Sequence, residues 1–157
     1  MDPNTLIFSS NKDNLKEYYE TKKFNDEKLG KITADYIVVA TGGRPRLLSN
    51  KQCENSDKYS ISSDDIFSMK QEPNKTLVVG GGYIALENAG FMSELGYDVT
   101  IMNRTDVFLR GFDRDMADLI TGHLEHHSGL KLMPWHLPFK IEKNQSTGKL
   151  EVNAKHQ

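Results

Sequence analysis

The residues best suited to chemistry are Gly80-Gly81-Gly82-Tyr83-Ile84-Ala85, and the chemistry they serve is anion binding rather than bond-making. In this G-x-G-x-x-A spacing Gly80 allows a tight turn and Gly82 lets the backbone approach a pyrophosphate. Ala85 permits close packing of a helix on a strand. A helix starting at Tyr83 would aim free N–H groups and its positive dipole end at the same anion. Further along stand Arg104 and Arg110, with Asp106 between them. Where an acidic side chain after the second strand would hold a ribose 2′-hydroxyl, the chain has Asn103 and Arg104. A carboxylate repels a 2′-phosphate, whereas two guanidinium groups hold it by charge-assisted hydrogen bonds. The constellation predicts a dinucleotide site that takes NADPH in preference to NADH, with Asp106 pointing away.

Such a site needs a strand, a helix and a second strand in that order, and the flanking pattern supplies them. Residues 76–79 form a short apolar run of the buried parallel type. Ile84, Leu86, Ala89, Phe91, Met92 and Leu95 give the following helix one broad apolar face, and Gly96 sits where its cap belongs. Gly90 costs that helix roughly 1 kcal/mol relative to alanine, which predicts close packing against the first strand. Residues 98–102 read as the second parallel strand and 130–133 as the third. Between them Asp113 is a good N-cap for a helix to about His127, with Met116, Leu119, Ile120 and Leu124 on one face. His123 and His127 lie one turn apart on it, but no carboxylate or cysteine motif accompanies them. A solvated histidine face is expected there, with no metal. Residues 139–143 and 149–155 alternate as a β-hairpin. The predicted class is α/β: a Rossmann-like doubly wound parallel sheet with a hairpin layer.

The first part of the chain is less distinctive. Residues 1–27 are polar, with Leu6-Ile7-Phe8 as a strand candidate, and strands are expected near 31–33 and 36–40. The β-branched run Ile37-Val38-Val39-Ala40 suits a buried strand, broken by Thr41-Gly42-Gly43. Residues 47–59 read as a linking loop, after which Ser63 would cap a short helix through Met69.

Several of these segments together resemble the glutathione reductase-like flavoprotein disulfide reductases, above all the high-molecular-weight thioredoxin reductases. The resemblance rests on Lys75 to Gly80, Gly82 to Glu87, Ala89-Gly90-Phe91 and Leu109-Arg110-Gly111-Phe112-Asp113. Upstream it rests on residues 37–46 and on Ile61 to Phe67. It covers about residues 34–127, and it implies a carboxy-terminal portion of an FAD-binding domain over 1–47 and an incomplete NADPH-binding domain over 48–157. It also implies roles. Thr41 and Gly42 would lie against FAD, and Arg46 would help hold NADPH. Gly80, Gly81, Gly82 and Ile84 would form the dinucleotide turn, and Arg104 and Arg110 would grip the 2′-phosphate. Tyr83 would cover the flavin until nicotinamide displaces it, and Glu87 would sit near both rings. Tyr83 as an ordinary helix-start aromatic and Glu87 as a solvent-facing glutamate remain the plainer alternatives. The complete enzyme would be a homodimer reducing thioredoxin disulfide or glutathione disulfide. The six-residue interval from Arg104 to Arg110 matches glutathione reductases, one longer than in typical animal thioredoxin reductases.

The rest of the composition marks what is missing. Disulfide reductases use a redox-active cysteine pair, and this chain has one cysteine, Cys53, in a polar stretch. No second glycine fingerprint precedes the first. With 157 residues the chain accommodates one modest core but not a whole flavoenzyme, so it reads as a piece of a reductase. A non-catalytic NADPH-binding module is the other reading. The net charge of −2 and dispersed basic residues speak against nucleic-acid or membrane partners. A single cysteine fits a reducing, cytoplasmic setting, with a mitochondrial one left open.

Overall fold

The computed structural model describes residues 5–8, 24–26, 30–32, 35–40, 42–127 and 129–157. The chain divides into two compact units, Met1–Arg44 and Pro45–Gln157. In the first, β1 (Thr5–Phe8) pairs in parallel with β4 (Tyr36–Val39), Thr5 opposite Tyr36 and Phe8 opposite Val39. A second, antiparallel ladder joins β2 (Phe24–Asp26) to β3 (Gly30–Ile32). The apolar run in β4 reads as buried, yet Tyr36, Val38 and Val39 are exposed. Pairing with β1 satisfies backbone groups, but pairing alone covers neither face of a sheet.

The second unit holds a parallel sheet in the order β5 (Lys75–Val79), β6 (Asp98–Met102), β7 (Lys131–Met133). β5 and β6 run in register from Lys75–Asp98 to Val79–Met102, and β6 pairs onward with β7. α2 (Tyr83–Glu94) connects the first two strands and α3 (Arg114–His127) the next two; α1 is the single turn Ser56–Tyr59 earlier in the chain. Strand, helix, strand, helix, strand in this order is one mononucleotide-binding half of a doubly wound sheet. The predicted class holds.

The core is narrower than the apolar pattern implies. α2 buries Leu86, Ala89 and Met92 against Val99 and Ile101 of β6, with Phe108, Leu109, Ala117 and Leu130 completing the cluster. Ile84, Phe91 and Leu95 stay exposed, because a single sheet face meets one stripe of the helix at steps of three residues. Gly90 is not the close-packing residue: a Cβ there would meet nothing within 4 Å, and the tight contact falls to the fully buried Ala89. α3 likewise turns Ala117 inward and leaves Met116, Leu119 and Ile120 exposed. Gly96, at φ 91°, closes α2 as anticipated: its N–H bonds Ser93 O and that of Tyr97 bonds Met92 O, satisfying two end carbonyls.

The hairpin forms from β8 (His136–Lys143) and β9 (Leu150–His156), with a bulge between Pro138 and Lys140. Asn144 Oδ1 accepts the N–H groups of Ser146 and Thr147 at 2.9 and 3.0 Å, which sets its turn. The expected linking loop is more ordered than its polarity implies. Glu54 bridges onto β8 through Phe139 O and Ile141 N, and Cys53 and Ser56 are buried beside it. The helix expected after Ser63 contracts to a 3-10 turn, Ile66–Ser68, and the side-chain link belongs to Ser62, which donates to Asp65 Oδ2 from both N–H and hydroxyl.

Candidate dinucleotide-binding site

The glycine turn leaves β5 with Gly80 at φ +137°, a region open to glycine, its N–H held by Met102 O at 2.9 Å. Gly82 then takes the N-cap of α2. It has no side chain to cap the helix, and the first turn contains no acidic residue. The N–H groups of that turn have no intrahelical acceptor. A Cβ on Gly82 would enter open space with nothing within 4 Å. Exposed donors, a positive dipole end and a missing side chain are what a pyrophosphate needs, so these residues fit a dinucleotide. Ile84 is exposed on the first turn, as are Tyr83 and Glu87 on the same helix.

The loop from 103 to 111 is folded around its own first side chain. Asn103 is only 8 % exposed, and its Nδ2 donates to Val107 O at 2.8 Å, Thr105 O at 3.1 Å and Thr105 Oγ1 at 3.2 Å. At the far end Phe108 and Leu109 plug into the core. Leu109 adopts φ +53°, an unfavourable conformation for a residue with a side chain, and its N–H reaches Gly81 O at 2.7 Å. The arginine loop is thereby tied to the phosphate turn. Arg104, Asp106 and Arg110 are all exposed. Among the described residues neither arginine has a carboxylate ion-pair partner; Asp106 instead contributes to the field at Arg114. That guanidinium's pKa is raised chiefly by its hydrogen bond to Asp118 at 2.7 Å and less by Asp106. In the sequence Asn103 stands out only as the position where an acid is missing. Its neighbour Thr105 and its place directly after a strand were the available signal, because Asn readily bonds a backbone two residues on.

The remaining candidates are dispersed. Thr41 lies outside the described residues. Gly42, in the first unit, has φ +63° with open space at its Cβ position. Arg46, in the second unit, is exposed. Burial raises the Cys53 thiol above its ordinary pKa, which suits an inert buried sulfur. His123 and His126 are exposed, and among the described residues no three metal-ligating side chains cluster. No helix among the described residues is long and apolar enough to cross a membrane.

Fold and turn together define a dinucleotide-binding α/β protein. Residues 4–157 match the pyridine nucleotide-disulphide oxidoreductase family, and the chain belongs to it. It is 43 % identical over 122 residues to the thioredoxin reductase SEP1 of Emiliania huxleyi, a match that takes in 78 % of this chain and 24 % of that protein. The chain thus spans about a quarter of the length of this curated relative. Among solved structures it is similar to the HOCl-induced flavoprotein disulfide reductase RclA of Escherichia coli (TM-score 0.62, 23 % identity, 86 % of this chain and 30 % of that one). It is also similar to an engineered water-forming NADPH oxidase bound to NADPH, derived from the NADH oxidase of Lactobacillus brevis (TM-score 0.56, 22 % identity, 84 % of this chain and 30 % of that one).

Proposed function

We propose that this chain is the NADPH-binding part, with the end of the FAD-binding part, of an NADPH-dependent flavoprotein disulfide reductase. Thioredoxin disulfide is its substrate and glutathione disulfide the second choice. The observation that carries the reading is the exposed pair Arg104 and Arg110 on a loop bonded to the glycine turn. Gly82 and the first turn of α2 receive the pyrophosphate, and the two guanidinium groups receive the 2′-phosphate. Arg46 helps hold NADPH, Tyr83 covers the flavin until nicotinamide displaces it, and Glu87 sits near the nicotinamide and the flavin. Thr41 and Gly42 serve the flavin side. When bound, the nicotinamide and flavin supply the hydride transfer; the protein supplies position and electrostatics.

The engineered oxidase adds support. Its five substitutions include a new alanine, an arginine nineteen positions on and a second arginine six positions after that. In this chain Ala85, Arg104 and Arg110 stand at the same spacings. For the substrate, the relative named a thioredoxin reductase favours thioredoxin, while the six-residue arginine interval favours glutathione. The lone cysteine favours a non-catalytic NADPH-binding module as the alternative for the chain by itself. A homodimeric parent enzyme in the cytoplasm completes the proposal.

Titration with NADPH and NADH, followed by tryptophan and tyrosine fluorescence, tests the cofactor assignment. NADPH should bind at least about tenfold more tightly, and Arg104→Ala should remove most of that preference. Equal affinities in the unmodified chain would sink it.

A further inference from the structure

We infer that Asn103 is a positioning residue for 2′-phosphate selection: its carboxamide folds the arginine loop into shape before any ligand arrives and locks it against the phosphate turn. The inference rests on the NADPH reading above and adds the device that makes the two arginines selective.

Three observations converge on this side chain. Both backbone groups of Asn103 are held by the chain around the end of β7 and the start of β8, its N–H donating to Met133 O at 3.1 Å and its carbonyl accepting from His136 N–H at 3.0 Å. With the main chain pinned, the side chain turns inward under residues 105–107. There its two amide hydrogens face three acceptors, so no donor is left over for a bound cofactor. Thr105 Oγ1 extends the network by donating to Val107 O at 3.2 Å. The third observation is contact with the glycine turn. A Cβ added at Gly81 would lie 2.7 Å from both Cγ and Nδ2 of Asn103. One buried amide therefore shapes the loop that bears the positive charge and abuts the turn that takes the pyrophosphate.

The energetic consequence concerns preorganisation. Each loop residue that must be ordered on binding weakens affinity by about tenfold, since fixing a backbone costs about that factor. A loop already folded around Asn103 avoids that loss chiefly for the 2′-phosphate contacts, because the amide's hydrogen bonds all go to Thr105 and Val107 in the arginine loop while it meets the glycine turn by packing alone. Removing the amide should therefore weaken NADPH while sparing NADH, which makes no 2′-phosphate contact. A side chain that merely holds the fold together would weaken both alike.

The test measures dissociation constants of the whole chain for NADPH, NADH and 2′,5′-ADP, in the unmodified form and in Asn103→Leu, which keeps the volume without the donors. The expected result is a loss of about tenfold for NADPH and for 2′,5′-ADP, with NADH changed less than about twofold. Thr105→Val, which keeps the branched shape and removes the hydroxyl, should move the same ratio several-fold less. It also serves as the reporter if Asn103→Leu does not fold. Equal losses for NADPH and NADH, or an unchanged ratio in both variants, overturn the inference and leave the cofactor reading intact. No preference for NADPH in the unmodified chain overturns both.

Discussion

Gly81 and Gly82 are adjacent, yet the same substitution should act on them in opposite ways. Gly82 has φ −86° and ψ 171°, ordinary backbone for any residue, and open space where a Cβ would go. Gly82→Ala should leave stability within about 0.5 kcal/mol of the unmodified chain, because it neither strains nor clashes. It should nonetheless weaken both NADPH and NADH by about tenfold or more, since the new methyl stands where a pyrophosphate must approach the helix. Gly81→Ala instead drives a Cβ into the buried amide of Asn103. That amide is held by its own hydrogen bonds and cannot swing aside freely, so overpacking of about 1–3 kcal/mol is expected. In an Asn103→Ala background the clash partner is gone, and the cost of Gly81→Ala should fall markedly. A double-mutant cycle on thermal stability measures that coupling. Additive effects would show that the two residues do not share a contact.

At the scale of elements, the parallel sheet and its helices were legible because their signals are local. The apolar run before Gly80, the cap at Gly96 and the alternation of the hairpin each specify an element without reference to distant residues. Asp113 behaves as its position predicts, accepting Met116 N–H at 3.2 Å at the head of α3. Asp113→Ala should cost about 1 kcal/mol and lower the melting temperature by a few degrees, checked by circular dichroism. What could not be read was which stripe of each helix meets the sheet. Met116, Leu119 and Ile120 share a face in the pattern, but small Ala117 lets α3 approach and so sits inward instead. Cys53 was equally illegible, because its neighbour Glu54 is fixed by bridging to Lys140 of a hairpin strand far along the chain. The loop around Asn103 was legible in part: its side-chain bonds to Thr105 and Val107 are local, whereas its ties to Gly81 and Met133 depend on where distant segments arrive. Between β6 and β7, Asp98 accepts from Lys131 Nζ at 2.6 Å, and that bond holds the carboxyl below its usual range. The depressed folded pKa means that its contribution is present above the ordinary carboxylate pKa and lost as pH falls through the folded one. Both groups are substantially exposed, so Asp98→Asn should flatten only a small part of the acid limb, below about pH 4, and high salt should mimic it.

For the molecule as a whole, binding and turnover separate. The dinucleotide half carries its glycine turn, its helix and its cationic loop within residues 75–111. Disulfide reduction through an internal dithiol needs two thiols that can form one disulfide, and 157 residues supply a single cysteine. That cysteine is buried with a raised pKa, so it offers neither the partner nor the thiolate. The chain by itself should therefore bind NADPH yet show no NADPH-dependent reduction of thioredoxin or glutathione disulfide above background, even with FAD added. The complementary measurement is an immunoblot of source cells with an antibody raised against this chain. A band several times heavier would place these residues inside a complete flavoenzyme, in keeping with a match to only 24 % of the thioredoxin reductase of Emiliania huxleyi. A band at 17.8 kDa, together with tight NADPH binding and no turnover, would instead make the chain a nucleotide-binding module that has kept the reductase's cofactor turn without its chemistry.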